Sequence, residues 1–270
     1  MAVRVAVSGA LGRMGRRILE IAKNDPSVEV CGALESEENA KRYSDLGEAL
    51  NDPNFKGVPL SSDVEEVLKN CDVLIEFANS TEAALEHTEK AVGLGKKVVI
   101  GTTGFSPEEL KRLEELAQKG AVLFSPNMSL GVNLLFRLVQ LATRVLKERD
   151  FDIEIGEIHH RFKKDAPSGT AMRLAEIIAE ELGKPLEEIA VYGRKGHYER
   201  KKDDLGIMTF RGGDVVGEHT VYFFGMGERL ELTHRATDRG IFAKGAVEAA
   251  KWIADKEGGR LYNMFDVLGL

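Results

Sequence analysis

The sequence has no apolar run approaching the roughly 18 residues that a membrane-spanning helix requires, so no membrane partner is expected. No signal peptide is read before the first strand pattern, which leaves the cytoplasm as the expected compartment. Cysteine is nearly absent. Cys31 and Cys71 both lie in apolar runs and lack CxxC spacing, so two buried, reduced and inert thiols are expected. Positive charge is in the minority: 37 Lys and Arg against 44 Asp and Glu, a net charge of −7. A general nucleic-acid binder is usually basic, so no nucleic-acid partner is expected. Neither GxSxG nor SxxK occurs, which argues against a serine nucleophile. Without HExxH, or a third ligand spaced near the His159-His160 pair, no metal is expected. Internal repeats and low-complexity tracts are also missing.

What remains is a globular pattern. A hydrophobic fraction of 43% over 270 residues is enough for a sizeable core. In the first half, short apolar runs (Arg4–Ser8, Val28–Leu34, Val73–Ala78, Lys97–Ile100, Ala121–Phe124) are separated by helix-length segments such as Thr81–Leu94 and Pro107–Lys119. That alternation predicts βαβ units and a parallel sheet covered on both faces. After Asn127 the pattern changes. Leu130–Arg149 reads as one long helix, Phe151–Arg161 alternates, and Ser168–Leu182 is helical. Alternating runs from Gly206 to Ala236, with a hairpin at GMGE, predict a mixed or antiparallel sheet with helices on one face. Ile241–Asp255 is helical again and is expected to return to the first domain. The charged stretch Gly193–Gly206 reads as a solvated loop. The fold class is therefore α/β: a Rossmann-like parallel-sheet domain over residues 1–128, completed by 239–270, plus a smaller α+β domain over 129–238.

The first strand runs into Gly9-Ala10-Leu11-Gly12-Arg13-Met14-Gly15 and then a helix. The spacing is GxxGxxG rather than GxGxxG, but its physics is the same. Gly9 permits the tight turn, Gly12 allows backbone to approach a pyrophosphate, and Gly15 allows close helix–strand packing. The helix start offers free N–H groups and a positive dipole end to phosphates. Glu35, at the end of the second strand, is placed to accept from ribose hydroxyls. It would repel a 2′-phosphate, and Ser36 rather than an arginine follows it, which favours NADH. Arg13 or Arg16 could still reach such a phosphate, so NADPH stays open. The loops Gly101-Thr102-Thr103-Gly104 and Ser125-Pro126-Asn127-Met128 follow later strands, at the edge where open α/β sheets bind ligands.

The densest polar chemistry is at Glu157–Ala171. His159, His160, Arg161, Lys163 and Lys164 fall within six residues of an acidic protein, so an anion is expected there. Ser168-Gly169-Thr170 opens a helix whose N–H groups and hydroxyls suit a carboxylate. A cationic turn facing such a helix start suits a small dicarboxylate. Reduction of a conjugated imine also needs a proton, which a histidine or an ammonium can deliver. Along a strand, His159 and His160 would point to opposite faces.

Gly9–Gly15, Gly101–Gly104, Glu-x-His-His-x-x-Lys-x-Asp-Ala-Pro-Ser-Gly-Thr-Ala at Glu157–Ala171, Val216–Thr220 and Glu228–Ala236 together closely resemble the 4-hydroxy-tetrahydrodipicolinate (dihydrodipicolinate) reductase family, in order and over essentially the whole chain. The resemblance implies NAD(P)H-dependent reduction of a cyclic dicarboxylate in lysine and diaminopimelate biosynthesis. It implies His159 as proton donor and acceptor, Lys163 as a second proton donor, and His160, Gly169 and Thr170 as carboxylate-binding residues. Gly9 to Met14, Glu35, Gly101 to Thr103 and Ser125 to Met128 would line the cofactor. It further implies a homotetramer joined through the sheets of the second domains. Many members carry an arginine where this chain has Ser36. Two other readings fit a dinucleotide loop: a different two-domain nicotinamide-dependent amino-acid dehydrogenase, and a non-catalytic nicotinamide-sensing module.

Overall fold

The computed structural model describes all 270 residues, Met1–Leu270. The chain divides into two compact units, Met1–Leu130 with Gly240–Leu270, and Gly131–Arg239. Strands of the first unit are β1 (Val3–Ser8), β2 (Val28–Leu34), β3 (Leu60–Ser61), β4 (Val73–Glu76), β5 (Lys97–Ile100), β6 (Val122–Phe124) and β12 (Leu261–Tyr262). They form one parallel sheet in the order β12-β6-β5-β4-β1-β2-β3. Its helices are α1 (Arg13–Lys23), the short α2 (Glu37–Ala40), α3 (Leu46–Leu50) and α4 (Val64–Leu68), then α5 (Thr81–Gly93), α6 (Pro107–Ala117), α10 (Gly240–Ile253) and α11 (Met264–Leu268).

The apolar runs are continuous because both sheet faces are covered. Successive strand side chains point to opposite faces. Val5, Val7, Val73, Ile75, Val99 and Leu123 join one core with Ile18 of α1 and Ala246 and Ala250 of α10. Their neighbours Ala6, Leu74, Val98, Ile100 and Val122 join the other with Leu113 of α6. Helix α10 packs so close that a Cβ on Gly245 would lie 1.7 Å from the Met128 carbonyl oxygen. Ser106 and Glu109 form a capping box that starts α6, with Pro107 in its first turn.

Chain order runs one way from β1 and the other way from β4, so the switch point lies between these neighbours. Register then aligns the strand ends. Ser61, Leu34, Ser8, Glu76, Ile100 and Phe124 form one row across six strands. The loops after them therefore emerge at one carboxyl edge. The expectation of two separate reduced thiols is corrected: Cys31 and Cys71 form a disulfide, their Cα atoms 5.9 Å apart. Cys31 is on β2 and Cys71 follows α4; 40 residues of sequence separation concealed their approach.

The second unit opens with α7 (Leu130–Leu146), which stops one turn short of the expected Arg149. A five-stranded mixed sheet follows in the order β11-β10-β7-β9-β8, from β7 (Asp152–His159), β8 (Ala190–Val191), β9 (Leu205–Arg211), β10 (Gly217–Gly225) and β11 (Glu228–Ala236). Strands β10 and β11 make the expected hairpin. Helices α8 (Gly169–Leu182) and α9 (Leu186–Ile189) complete the unit. The stretch Gly193–Gly206 is less free than a solvated loop. Arg194 and Arg200 both bind Glu154 of β7, Arg200 also binds Asp152, and Leu205 and Gly206 already belong to β9.

Candidate active site

The residues singled out in the sequence fall into two groups, one in each unit. In the first unit they surround the carboxyl edge at the β1–β4 switch point. Gly9 turns the chain at φ +65°, and a Cβ there would sit 2.7 Å from the Phe77 carbonyl oxygen. A Cβ on Gly15 would lie 2.1 Å from the Gly9 carbonyl oxygen, so only glycine lets α1 pack this close. Gly12 is the N-cap of α1 and offers no side-chain cap, and the first turn carries no acid. The helix N–H groups and dipole thus point outward unneutralised, as a pyrophosphate site requires.

Glu35 accepts a hydrogen bond from the Leu11 amide at 2.7 Å and from the Asn39 side chain at 3.1 Å, which fixes its carboxylate beside the glycine loop. Ser36 caps the short α2, whose first turn adds Glu37 and Glu38. Arg13 is exposed; Arg16 donates to the Leu11 carbonyl. Ala10 is buried, and Met14 packs against the core. At the next loop, Gly101 faces the Phe77 ring, the Thr102 hydroxyl donates to the Ala78 carbonyl, and Thr103 is exposed. In the last loop the Ser125 hydroxyl donates to the Asn127 carbonyl, Pro126 is exposed, and Met128 is buried in the core. The Thr102, Ser125 and Met128 side chains are thus committed to the protein. The residues present fit a dinucleotide: a tight turn that glycine alone allows, an uncapped helix start and a fixed carboxylate beside them.

In the second unit the group is built around one buried carboxylate. β7 ends at His159, so His160 lies beyond the strand and the alternation that would oppose the two histidines stops there. Register places Thr209 and His219 opposite Glu157, Arg211 opposite His159, and His234 opposite His219. Directly opposed residues share a face. Glu157 has no exposed surface. Its Oε2 accepts from His159 Nδ1 at 2.6 Å and from Arg211 at 2.9 Å, and its Oε1 from the Ser168 amide at 3.0 Å, Arg211 at 2.9 Å and Thr209 at 3.3 Å. Burial alone would push this carboxyl up. The hydrogen bonds from His159, Arg211 and Ser168 outweigh it and hold Glu157 down to about 2.

Ser168 caps α8: its hydroxyl accepts from the Ala171 amide and bonds His219 Nε2 at 2.9 Å. Burial, reinforced by the neighbouring His159, depresses His219 to about 3, so the ring is neutral and Nε2 accepts the Ser168 proton. The Ser168 hydroxyl is therefore occupied within the protein. Gly169 beside it is exposed, with open space where a Cβ would be, and the first turn of α8 holds no acid. Lys163 pairs with Asp165 at 2.8 Å, which holds that carboxyl below its usual range. His160 Nε2 lies 3.3 Å from Arg239. Sequence reading missed Arg211, His219 and Arg239, which come from distant segments. Glu157 was visible as the second residue before His159 on a strand, where period-two alternation puts both on one face.

Residues 3–128 match the family model described as dihydrodipicolinate reductase, N-terminus, and residues 131–268 its C-terminus. A 4-hydroxy-tetrahydrodipicolinate reductase of Aquifex aeolicus is 59% identical over 270 residues, covering 100% of both chains. One of Citrifermentans bemidjiense is 48% identical, covering 99% of each. Among solved structures, a dipicolinate-bound dihydrodipicolinate reductase from Paenisporosarcina superposes with a TM-score of 0.78 at 26% identity, covering 98% of this chain and 99% of that one. An amine dehydrogenase from Mycobacterium smegmatis shares the fold at TM-score 0.64 and 16% identity, covering 97% and 95%.

Proposed function

The chain belongs to the dihydrodipicolinate reductase family, and from that premise we propose the roles that follow for its residues. Its activity is the nicotinamide-dependent reduction of 4-hydroxy-tetrahydrodipicolinate, a step of lysine and diaminopimelate biosynthesis. Gly9 to Met14 and the start of α1 hold the pyrophosphate, Glu35 the adenosine ribose, and the loops at Gly101–Thr103 and Ser125–Met128 the nicotinamide end. A reduced nicotinamide held there would supply the hydride that C4 of the ring takes once the 4-hydroxyl has left as water.

The chain's own residues bind the dicarboxylate and move the proton. One substrate carboxylate lies on the N–H groups of Gly169 and Thr170, the other against His160. Reduction leaves an electron pair on the neighbouring ring carbon. His159 delivers the one proton this carbon takes, from Nε2, and Lys163, released from Asp165, is the second donor, to the 4-hydroxyl as it departs as water. The observation that carries this reading is the tie from one carboxylate, Glu157, to both His159 and the start of α8. A proton-transfer ring and an open anion site are thereby built together, in a protein of net charge −7. The cyclic dicarboxylate bound by the Paenisporosarcina enzyme fits the same chemistry.

The preferred cofactor is NADH, because the Glu35 carboxylate is fixed beside the glycine loop and Ser36 after it offers no cation to a 2′-phosphate. The assembly is a homotetramer joined through the outer face of the five-stranded sheet. That face carries the exposed Phe210 and the stacked Tyr222–Phe224 pair, an apolar surface of the kind that marks an interface. The compartment is the cytoplasm, as suits a biosynthetic step drawing on reduced nicotinamide; no helix is long and apolar enough to cross a membrane.

To test the assignment, substrate is generated freshly from pyruvate and aspartate semialdehyde by the upstream synthase, and NADH absorbance is followed. Oxidation of NADH that depends on this protein is expected. None, under conditions where a known reductase works, would overturn it. For the assembly, Phe210→Glu should reduce the mass measured by analytical ultracentrifugation; an unchanged tetramer would exclude that face.

A further inference from the structure

The Glu157 carboxylate makes five hydrogen bonds, more than burying it in a strand would need, and they come from four residues on three segments. Two of them reach the working parts of the site. One goes to His159 Nδ1; the other goes to the Ser168 amide, at the cap of α8. The remaining donors, Arg211 and Thr209, come from β9 and give the carboxylate a fixed seat. The Arg211 guanidinium spans both carboxylate oxygens and also donates to the Phe210 and Asp165 carbonyls, so it cannot swing away independently.

This arrangement decides which nitrogen of His159 carries the fixed proton. A carboxylate without a proton can only accept, so His159 must donate from Nδ1. Its Nε2 faces Gly217, where a Cβ would come within 2.9 Å. Glycine at that position keeps the working nitrogen clear. The His219 ring packs edge-on at 5.1 Å between centroids and is itself occupied by Ser168, so it does not compete for the Glu157 carboxylate.

We infer that Glu157 is the positioning residue of the site: it fixes His159 with Nδ1 protonated and Nε2 free to exchange a proton with substrate, and it anchors the α8 start to the same carboxylate, so that proton donor and carboxylate cradle hold one spacing. The inference rests on the reading of His159 as the proton donor and adds the residue that orients it.

Two measurements test it on the full-length enzyme. The first is the ¹⁵N–¹H long-range NMR pattern of the His159 imidazole in the unaltered protein, assigned by its loss in His159→Gln and read where the ring is neutral. The expected pattern has Nδ1 protonated and Nε2 unprotonated; Nε2 protonated would overturn the inference, whatever the kinetics. The second is Glu157→Gln. Its amide cannot accept from His159 and Arg211 on both sides, so kcat should fall by about 10²-fold or more, as when a carboxylate orienting a catalytic histidine is replaced. Affinity for dipicolinate, measured by calorimetry, should weaken at least about threefold, with NADH affinity unchanged. A kcat within about threefold of the unaltered enzyme would also overturn it. Should the variant fail to fold, the NMR pattern of the unaltered protein still decides. Failure of the unaltered protein to oxidise NADH with fresh substrate would sink the functional reading instead, and leaves the tautomer result standing by itself.

Discussion

The glycine loop of the first unit and the Glu157 cluster of the second are built by opposite means. The loop works through what is missing. Gly9, Gly12 and Gly15 lack Cβ atoms, α1 lacks a side-chain cap, and its first turn lacks acids, so backbone N–H groups and a helix dipole are left facing outward. The cluster works through side chains that are present and hydrogen-bonded to one another: a carboxylate, a guanidinium, two imidazoles and a hydroxyl. A phosphate needs diffuse positive potential, which backbone can supply. Moving a proton needs a titratable group in one tautomer at one place, which only side chains held by other side chains can supply. The two regions should therefore fail differently when altered.

The largest expected effect is on the side-chain region. His159→Gln should lower kcat by about 10²- to 10⁴-fold, the usual range for a general acid, while NADH affinity stays within about twofold. Lys163→Ala should also lose most turnover. Full turnover in either variant removes that residue's assigned role.

Acid should damage the same region selectively. His219 is held at about 3 in the folded protein against 6.5 ordinarily. Below about pH 6.5 the unfolded chain therefore takes up a proton that the folded chain refuses, and stability falls as pH drops toward 3. Between pH 6.5 and 4 this single group amounts to about 3 kcal/mol. Glu157, held at about 2 against 4.5, adds a further loss as pH falls below 4.5. Chemical denaturation at several pH values should give a shallower slope between pH 6.5 and 4.5 for His219→Gln. An unchanged slope would mean that His219 is not the group responsible.

For the backbone-built region, Gly15→Val forces α1 away from the Gly9 carbonyl. NADH affinity should fall at least about tenfold, near 1.4 kcal/mol, with dipicolinate binding intact. Equal weakening of both ligands would erase the contrast between the regions. The smallest effect concerns cofactor choice. Ser36→Arg should move the ratio of kcat/KM for NADPH over NADH upward by several-fold, on the order of one charge pair's worth of binding. A ratio that does not move would show that the Glu35 neighbourhood does not read the 2′-position.

The same contrast explains what could be read in advance. Glycine spacing is local: strand, GxxGxxG and helix lie within Val3–Lys23, and the chain's own periodicity places them. Element order, the parallel sheet and the open start of α8 at Ser168 were legible for the same reason. The role of Ser168 was only half legible. Its position at a helix start was plain, but its hydroxyl is consumed by His219, 51 residues away. Arg211 lies 54 residues from Glu157, and Arg194 and Arg200, in a stretch whose composition alone suits solvent, are held by Glu154 of β7, 40 and 46 residues away.

By itself, then, the sequence determined the two-part plan, the nucleotide loop, the cationic turn and the family, because each rests on residues close together in the chain or on ordered motifs. Tertiary structure alone decided which nitrogen of His159 is held by Glu157, that the Ser168 hydroxyl is consumed by His219, and that Cys31 meets Cys71. Those outcomes depend on strand register and on the approach of segments about 40 to 54 residues apart, and period-two or period-3.6 patterns say only which face a residue takes, not which partner stands opposite it.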